Sequence, residues 1–213
     1  MDVTRLFQKQ PPKEDLNSLP AIVRDWKWRF GDGGENAHMR DEVVEFCREA
    51  PDFRTATDRA CRSRRPNGKM HNHQSRVPLL VLLHFRDRLV KHRDDIIKGV
   101  HLNDDAEVDP FDWMHDFMKH QLAPPGIGPV TNYDVATRLG AFLRIEPTSL
   151  YLHAGVREGW VALCDALGWV TVVPPGSARV PREDFPRALI GMPADEVEDF
   201  LCTYRDIFDG LES

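Results

Sequence analysis

A nine-residue stretch, Ala-Pro-Pro-Gly-Ile-Gly-Pro-Val-Thr at positions 123–131, separates two segments whose apolar residues recur at helical spacing. We call it the glycine turn. A helix that ends near Leu122 and another that begins at Pro129 leave only a short connection, so the two helices are expected to form an αα-hairpin. Proline is favoured at the first position of a helix, and glycine permits backbone conformations that other residues resist. Ile127 is expected to point inward and to pin the turn to the core.

The glycine turn is also suited to binding phosphate. The first N–H groups of a helix have no partner within it, and the helix dipole gives that end a partial positive charge. Glycine also lets a ligand approach the main chain closely. The turn therefore predicts a site for phosphate, formed by Gly126, Gly128, Val130 and Thr131.

Helical periodicity extends over most of the chain, which predicts an all-α fold, a helical bundle that contains the hairpin. One segment, 169–181, is β-like, but its prolines favour an extended loop or a small hairpin over a sheet. The predicted helices cover residues 39–50, 53–64 with Asp52 as N-cap, 73–98 ended by Gly99, 110–122 with Asp109 as N-cap, 131–143, 158–167 and 193–208.

The same patterns predict the domain organisation. Residues 1–20 contain three prolines and are expected to form an N-terminal arm. A chain of 213 residues otherwise fits one domain, which here covers residues 21–213. Its parts are a basic helical part (39–98), a hairpin part (109–167) and a loop with a C-terminal helix (169–213).

The formal net charge of −6 hides a strong asymmetry along the chain. Between Arg54 and Lys98 there are twelve Lys and Arg against four Asp and Glu, a net +8, so the other residues carry −14. A basic region beside acidic neighbours favours a confined anionic ligand over nonspecific coating of nucleic acid. The alternative is that these charges only solvate helix faces.

Several classes of protein are not indicated by the sequence. No apolar run approaches the roughly 18 residues of a transmembrane helix, and the N-terminus shows no apolar signal segment, so no membrane association is predicted. The four cysteines form no C-x-x-C pair and are expected to be buried free thiols of a reducing, cytoplasmic environment. No metal site is predicted, and composition and spacing call for no cofactor.

Basic and histidine residues are concentrated between Arg59 and Arg76. Arginine can bind phosphate through two parallel hydrogen bonds, and Gln or His can bind the edge of a base or ribose. The His-x-His pair in this stretch has no evident third ligand, so an anion is preferred to a metal. A solvated basic helix end with His73 as its cap stays open as the alternative. The predicted contacts to nucleic acid or a nucleotide-like ligand are Arg62, Arg65, Lys69, His71, His73, Gln74 and Arg76.

The sequence Pro-Pro-Gly-Ile-Gly-Pro-Val-Thr, followed by an amphipathic helix, resembles the helix-hairpin-helix motif L-P-G-[VI]-G-x-x-T of the endonuclease III type DNA glycosylase superfamily. The resemblance extends from about Asp109 to Leu167. It implies an all-helical, glycosylase-like fold whose hairpin binds a DNA phosphate through backbone amides. It also implies a possible monovalent cation on the hairpin carbonyls.

The sequence departs from that superfamily at two positions. Bifunctional members carry a nucleophilic lysine two residues after the second glycine, where this sequence has Val130. Valine cannot form a Schiff base, so lyase chemistry is expected to be absent. The superfamily's aspartate at the start of a downstream helix falls on Leu152 when Arg157 is matched to the family's arginine, and on His153 after a shift of one residue. Neither residue is a carboxylate.

Another carboxylate would then have to supply the negative charge, and Asp134 is the nearest candidate in sequence. The catalytic candidates are therefore Asp134, His153 and Arg157, with Tyr151 as a further ligand contact. In the alternative interpretation, Asp134 only pairs with Arg138, four residues on, across an exposed helix face.

Three functions follow from these observations. The first is a nucleic-acid-binding protein on a glycosylase-like scaffold that contacts the phosphate backbone of DNA through the hairpin and lacks the superfamily's lyase chemistry. The second is a divergent N-glycosidase that acts on a modified base, nucleoside or nucleotide. The third is a helical protein-interaction module in which the glycine turn is only a connection.

Overall fold

The computed structural model describes residues 18–30, 42–63, 70, 74–102, 108–169 and 179–211. Helices dominate these residues and the strands are very short, so the predicted all-α class is confirmed. The helices are α1 (Leu19–Phe30), α2 (Glu42–Arg48), α3 (Phe53–Arg62), α4 (Leu79–Lys91), α5 (Arg93–Leu102), α6 (Pro110–Phe117), α7 (Pro129–Leu143), α8 (Ala154–Ala166) and α9 (Ala194–Tyr204). Two strands, β1 (Leu150–Tyr151) and β2 (Arg179–Val180), pair antiparallel.

Two helices begin where short polar side chains cap them, as predicted. The Asp52 carboxylate accepts a hydrogen bond from the Thr55 N–H at 2.8 Å at the start of α3. The Asp109 carboxylate accepts from the N–H groups of Phe111 and Asp112, and Pro110 occupies the first turn of α6. Each carboxylate satisfies backbone donors that the helix leaves without a partner.

The predicted continuous helix over residues 73–98 is wrong, although residue 73 itself lies outside the described residues. A short 3₁₀ turn, Gln74–Arg76, comes first, and Pro78 is the N-cap of α4 because a proline ring disfavours helical geometry in the residue before it. The helix breaks again at His92, and α5 begins with two acidic residues in its first turn. Gly99 does not end this helix. It is buried in α5, where a Cβ would lie 1.8 Å from the Trp113 indole.

The core consists of two hydrophobic clusters. The first is formed by residues of α2 to α7, with Phe85, Phe111 and Leu139 among its buried members. The second is formed by α1, α8, α9 and the segments around β2, with Trp26, Trp160 and Phe200 buried in it.

Strand β1 divides the two clusters. Leu150 and Leu152 belong to the second cluster, whereas Tyr151 between them belongs to the first. Successive side chains of an extended segment point to opposite sides, so these three consecutive residues pack into both clusters. Sequence periodicity did not predict this strand. The β-like segment 169–181 contributes only Arg179–Val180 to the pair, and its residues 170–178 lie outside the described residues.

The C-terminal region packs helix against helix. Helix α8 begins four residues before its predicted start, with His153 as N-cap, and it contacts α9. The apolar stripe predicted for the last helix is confirmed, because Val197, Phe200, Leu201, Tyr204 and Phe208 are all buried. From Arg205 to Gly210 that helix narrows to a 3₁₀ helix.

Three remaining predictions concern the arm, the thiols and the membrane. Residues 1–17 of the predicted arm lie outside the described residues, and Leu19 near its end is buried in α1. Cys47, Cys61 and Cys164 are buried free thiols as predicted, but Cys202 is exposed. No helix in the described ranges is long and apolar enough to cross a bilayer.

We predict that Gly159→Ala weakens the fold while Gly155→Ala, one turn earlier in α8, does not. A Cβ at Gly159 would lie 2.4 Å from the carbonyl oxygen of Leu201, so α8 and α9 would have to separate. A Cβ at Gly155 would meet only the Cys202 sulfur at 3.3 Å. The free energy of unfolding from urea titration should fall by about 1–3 kcal/mol for Gly159→Ala. Equal stability of the two variants would contradict this packing.

Candidate functional site

The glycine turn connects two helices that contact each other. After α6 the chain forms a π-helical turn, Met118–Leu122, which ends where the Ala123 N–H donates to the Met118 carbonyl at 2.8 Å. Gly126 has a φ of 99°, in the region that favours glycine, and the Ile127 N–H donates to the Pro124 carbonyl at 3.1 Å. Helix α7 then begins at Pro129, as predicted.

The start of α7 presents its main chain to solvent. Gly128 is the N-cap and is exposed, and no side chain caps this end. Helix geometry leaves the N–H groups of Val130 and Thr131 without an intrahelical acceptor, and the first hydrogen bond of α7 runs from the Asn132 N–H to the Gly128 carbonyl at 2.9 Å. Nothing within 4 Å would meet a Cβ at Gly128, so the space beside this residue is open, whereas Val130 is partly buried and Thr131 is 7% exposed.

Neighbouring side chains hold the turn in place. Ile127 is partly buried against the first cluster, which confirms its predicted inward position. Val81 of α4 lies 3.3 Å from the position that a Gly126 Cβ would take. Arg88, also on α4, donates to the carbonyl of Gln121 at 2.8 Å, just before the turn. The turn is therefore supported from α4 as well as from its own helices.

A second group of residues forms what we call the polar centre: Tyr133, Tyr151, His153 and Glu198. The Glu198 carboxylate accepts from the Tyr151 N–H at 3.2 Å and lies 3.2 Å from Nε2 of His153. The ring centroids of Tyr133 and Tyr151 are 4.8 Å apart, and those of Tyr133 and His153 are 5.5 Å apart. These contacts join α7, β1 and α9 at the boundary between the two clusters.

Burial determines the electrostatics of the polar centre. It disfavours the charged form of Glu198 and raises the pKa of that carboxyl to about 7, although His153 and the Tyr151 N–H oppose the shift. Burial alone would lower the pKa of His153. The hydrogen bond and charge of Glu198, together with the charge of Asp134, outweigh it and raise that pKa. The two groups therefore titrate as a coupled pair.

Tyr151 extends the network toward α6. Its hydroxyl donates to Asp112 at 2.6 Å, and the Arg179 guanidinium lies 4.9 Å from its ring centroid. Arg179 forms ion pairs with both Asp112 and Asp116. His115, whose ring centroid is 4.4 Å from that of Tyr151, is buried, and its burial lowers its pKa to about 4, so it is neutral at physiological pH.

The predicted catalytic residues Asp134 and His153 lie close enough for the charge of Asp134 to act on His153. Arg157 follows one turn along α8, and its N–H donates to the His153 carbonyl at 2.9 Å. Asp134 and Arg138 do approach each other, but the exposed helix face expected for this pair is wrong. Arg138 is only 1% exposed, because Gln74 covers it and accepts from its guanidinium at 2.5 Å, while Asp134 lies 3.8 Å away.

The predicted basic contacts are divided between surface and interior. Arg62 is partly exposed on α3 and pairs with Asp58, and Arg76 is exposed. Gln74 is fully buried as a partner of Arg138, and Tyr151 is buried in the network described above. The remaining predicted contacts, Arg65, Lys69, His71 and His73, lie outside the described residues.

Sequence reasoning missed six residues of this network: Asp112, His115, Asp116, Tyr133, Arg179 and Glu198. The two aspartates belong to a carboxylate-rich segment, Asn103 to Asp116, which contains no Lys or Arg, and this excess of negative charge is a signal that could have found them. Glu198 and Arg179 carried no such local signal. Among the described residues, no group of three or more His, Cys, Asp or Glu side chains is arranged to hold a metal ion.

Comparisons with protein-family models, with curated proteins and with solved structures find no match to this chain.

We predict that Glu198→Gln removes part of the pH dependence of stability. Because the folded pKa of Glu198 is about 7 against an ordinary 4.5, folding takes up a proton between these values. The contribution of this group to stability therefore falls as pH rises toward 7. His115 acts in the opposite direction, since its lowered pKa costs stability as pH falls below 6.5.

The difference between variant and wild type cancels the contribution of His115 and reports on Glu198 together with His153, whose pKa Glu198 raises and which changes stability in the same direction. From pH 5 to pH 8 the wild type should lose stability relative to Glu198→Gln, measured as the free energy of unfolding in urea. The exposed Glu183, outside the polar centre, supplies a matched control, Glu183→Gln, which should follow the wild type. Parallel pH profiles of Glu198→Gln and wild type would overturn the assignment.

Proposed function

We propose that the protein binds nucleic acid, and that the N–H groups of Gly128, Val130 and Thr131 hold a phosphate of the DNA backbone. One observation carries the proposal: α7 begins in an exposed, uncapped turn at which no Cβ blocks the main chain. The positive end of the helix dipole and open amide donors together favour an anion at this position. Gly126 allows the tight path that brings the chain to it.

The charge around the turn favours contact with a short stretch of nucleic acid over binding along a long tract. The chain as a whole carries a net −6, whereas the segment from Arg54 to Lys98 carries a net +8. Helix α4 lies within that basic segment and touches the turn through Val81. A duplex would thus approach the turn beside the basic part of the protein, and the acidic remainder would limit the contact area.

The chemistry proposed at the turn is binding without covalent catalysis. Val130 offers no amine, so the turn cannot form the Schiff base that a lyase needs. The sequence resembles the helix-hairpin-helix motif, and on that basis the proposal includes a monovalent cation bound by carbonyl groups of the turn. The carbonyls of Gly126 and Ile127 accept no hydrogen bond within the described residues, so these two groups would hold it.

A second candidate is the divergent N-glycosidase acting on a modified base, nucleoside or nucleotide. The observation that favours it is the contact of His153 with Glu198, 3.2 Å from its Nε2, together with the charge of Asp134, which also acts on the imidazole. A carboxylate at such a place can stabilise positive charge that develops on a sugar.

The glycosidase candidate predicts release of free base from modified DNA or nucleotides. His153→Gln or Asp134→Asn should lower that release by about 100-fold or more, the usual loss when an acid–base or electrostatic group is removed. Chromatography of released base measures it, with the exposed Arg187→Gln as the control variant. Release that persists unchanged in both variants would dismiss these residues.

For the proposed function we predict that Gly128→Asp weakens DNA binding without weakening the fold. Aspartate is a favoured N-cap, so its carboxylate would satisfy the free amides of α7 and repel phosphate. The Kd for a short duplex should rise about tenfold or more, as expected when a charge-assisted contact is lost. The thermal midpoint should stay equal or rise.

Gly128→Ala is the matched control, because it adds a Cβ into open space and leaves the amides free. Fluorescence anisotropy with duplex, single-stranded and damaged DNA at two salt concentrations measures both variants. Wild-type affinity should fall as salt rises. A folded protein that shows no salt-sensitive binding to any of these forms contradicts the proposal and favours the interaction module.

A further inference from the structure

A cleft of about 420 Å³ lies between α2, α3 and α4, on residues other than those of the glycine turn. Four arginines line it, and Asp58 is the one carboxylate among its lining residues in the described part of the chain. We call it the arginine cleft. Its cations are Arg54, Arg59, Arg62 and Arg86.

Helix periodicity brings these cations together. Arg54, Asp58 and Arg62 recur every four residues, so they share one face of α3. Arg59 lies beside them and is held against α2. Its guanidinium donates to the Phe46 carbonyl at 2.5 Å and lies 3.6 Å from the centroid of the Phe46 ring. Such a cation–π contact fixes the plane of the guanidinium.

Asp58 orients two further arginines. Its Oδ1 accepts from Nε of Arg62 and from Nη1 of Arg86, each at 2.9 Å. Arg86 also pairs with Asp87, an exposed residue that does not line the cleft. One carboxylate thus serves two guanidinium groups, so the cleft keeps an excess of positive charge.

The remaining donors lack protein acceptors in the part of the chain that the structure describes. Within it, Arg54 makes no ion pair at salt-bridge distance, although its charge acts on Asp52, and the terminal nitrogens of Arg62 make no hydrogen bond. Both side chains are at least partly exposed to solvent, whereas Arg59 and Arg86 are anchored at the sides of the cleft. The arrangement combines fixed and adjustable donors around one concave surface.

We infer that the arginine cleft binds a phosphate group, carried by a ligand with at least two negative charges. Guanidinium groups match the geometry of phosphate oxygens and bind them in pairs. The cleft volume lies within the roughly 300–1,000 Å³ that is usual for small-ligand sites. The ligand is either a free phosphorylated small molecule or a phosphate of a nucleic acid. This inference does not rest on the glycine turn.

The probe is inorganic pyrophosphate, titrated into the full chain and followed by calorimetry. The wild type should bind it, and the double variant Arg54→Gln/Arg62→Gln should bind about tenfold more weakly or worse, as expected for lost charge-assisted hydrogen bonds. Arg187→Gln removes an exposed arginine outside the cleft and should leave pyrophosphate binding unchanged. Because Arg62 pairs with Asp58, the single variant Arg54→Gln repeats the test without breaking an ion pair of the described residues.

Two further arms identify the source of the phosphate and separate this site from the turn. Gly128→Asp should bind pyrophosphate like the wild type even if it loses DNA. Pyrophosphate that displaces duplex assigns the cleft to a nucleic-acid phosphate, and pyrophosphate that binds without displacing duplex assigns it to a free phosphorylated ligand. The inference is overturned if the wild type does not bind millimolar pyrophosphate, or if the folded arginine variants bind it as tightly as the wild type.

Discussion

The carboxylate of Glu198 connects the elements of the two hydrophobic clusters. It is 6% exposed on α9, inside the second cluster, yet its oxygens reach the Tyr151 N–H and the His153 imidazole. Burying a carboxylate without partners is costly. The segment from Tyr151 to His153 therefore has to lie where its backbone N–H and imidazole can contact the carboxylate of Glu198. That segment divides the clusters and ends at the N-cap of α8. The placement of α8 against the rest of the fold is therefore tied to one buried acidic group.

The parts of the fold that the sequence predicts well depend on local chemistry. Asp52 and the Asp109-Pro110 pair act on donors within three residues, so helix starts could be assigned from them. Strand β1 has only two residues, and its partner Val180 is 30 positions away. Its existence depends on Tyr151 entering one cluster while its neighbours enter the other. No pattern within a short window contains that information.

The candidate site also contains some residues whose positions follow from local sequence and others whose positions depend on tertiary packing. The course of the glycine turn follows from its own glycines and prolines, and Ile127 packs inward as an isolated apolar residue in such a turn should. The alternative interpretation of Asp134 and Arg138 as an i,i+4 pair placed Arg138 on an exposed helix face. Arg138 is buried because Gln74, 64 positions earlier, supplies an acceptor for it. Glu198 belongs to an amphipathic helix whose acidic residues suggest a solvated face, and only tertiary packing places it in the interior.

Helix α4 links the two proposed phosphate contacts physically. Val81 supports the glycine turn, and Arg86, five residues later, forms one side of the arginine cleft. On one helix these positions are separated by about 7.5 Å along the axis. The helix is fixed at both places, since Arg88 bonds the Gln121 carbonyl before the turn and Arg86 bonds Asp58 on α3. A displacement of α4 would therefore change the geometry of the turn and of the cleft together. For this reason the two sites should be compared through substitutions that leave α4 intact, at Gly128 on one side and at Arg54 on the other.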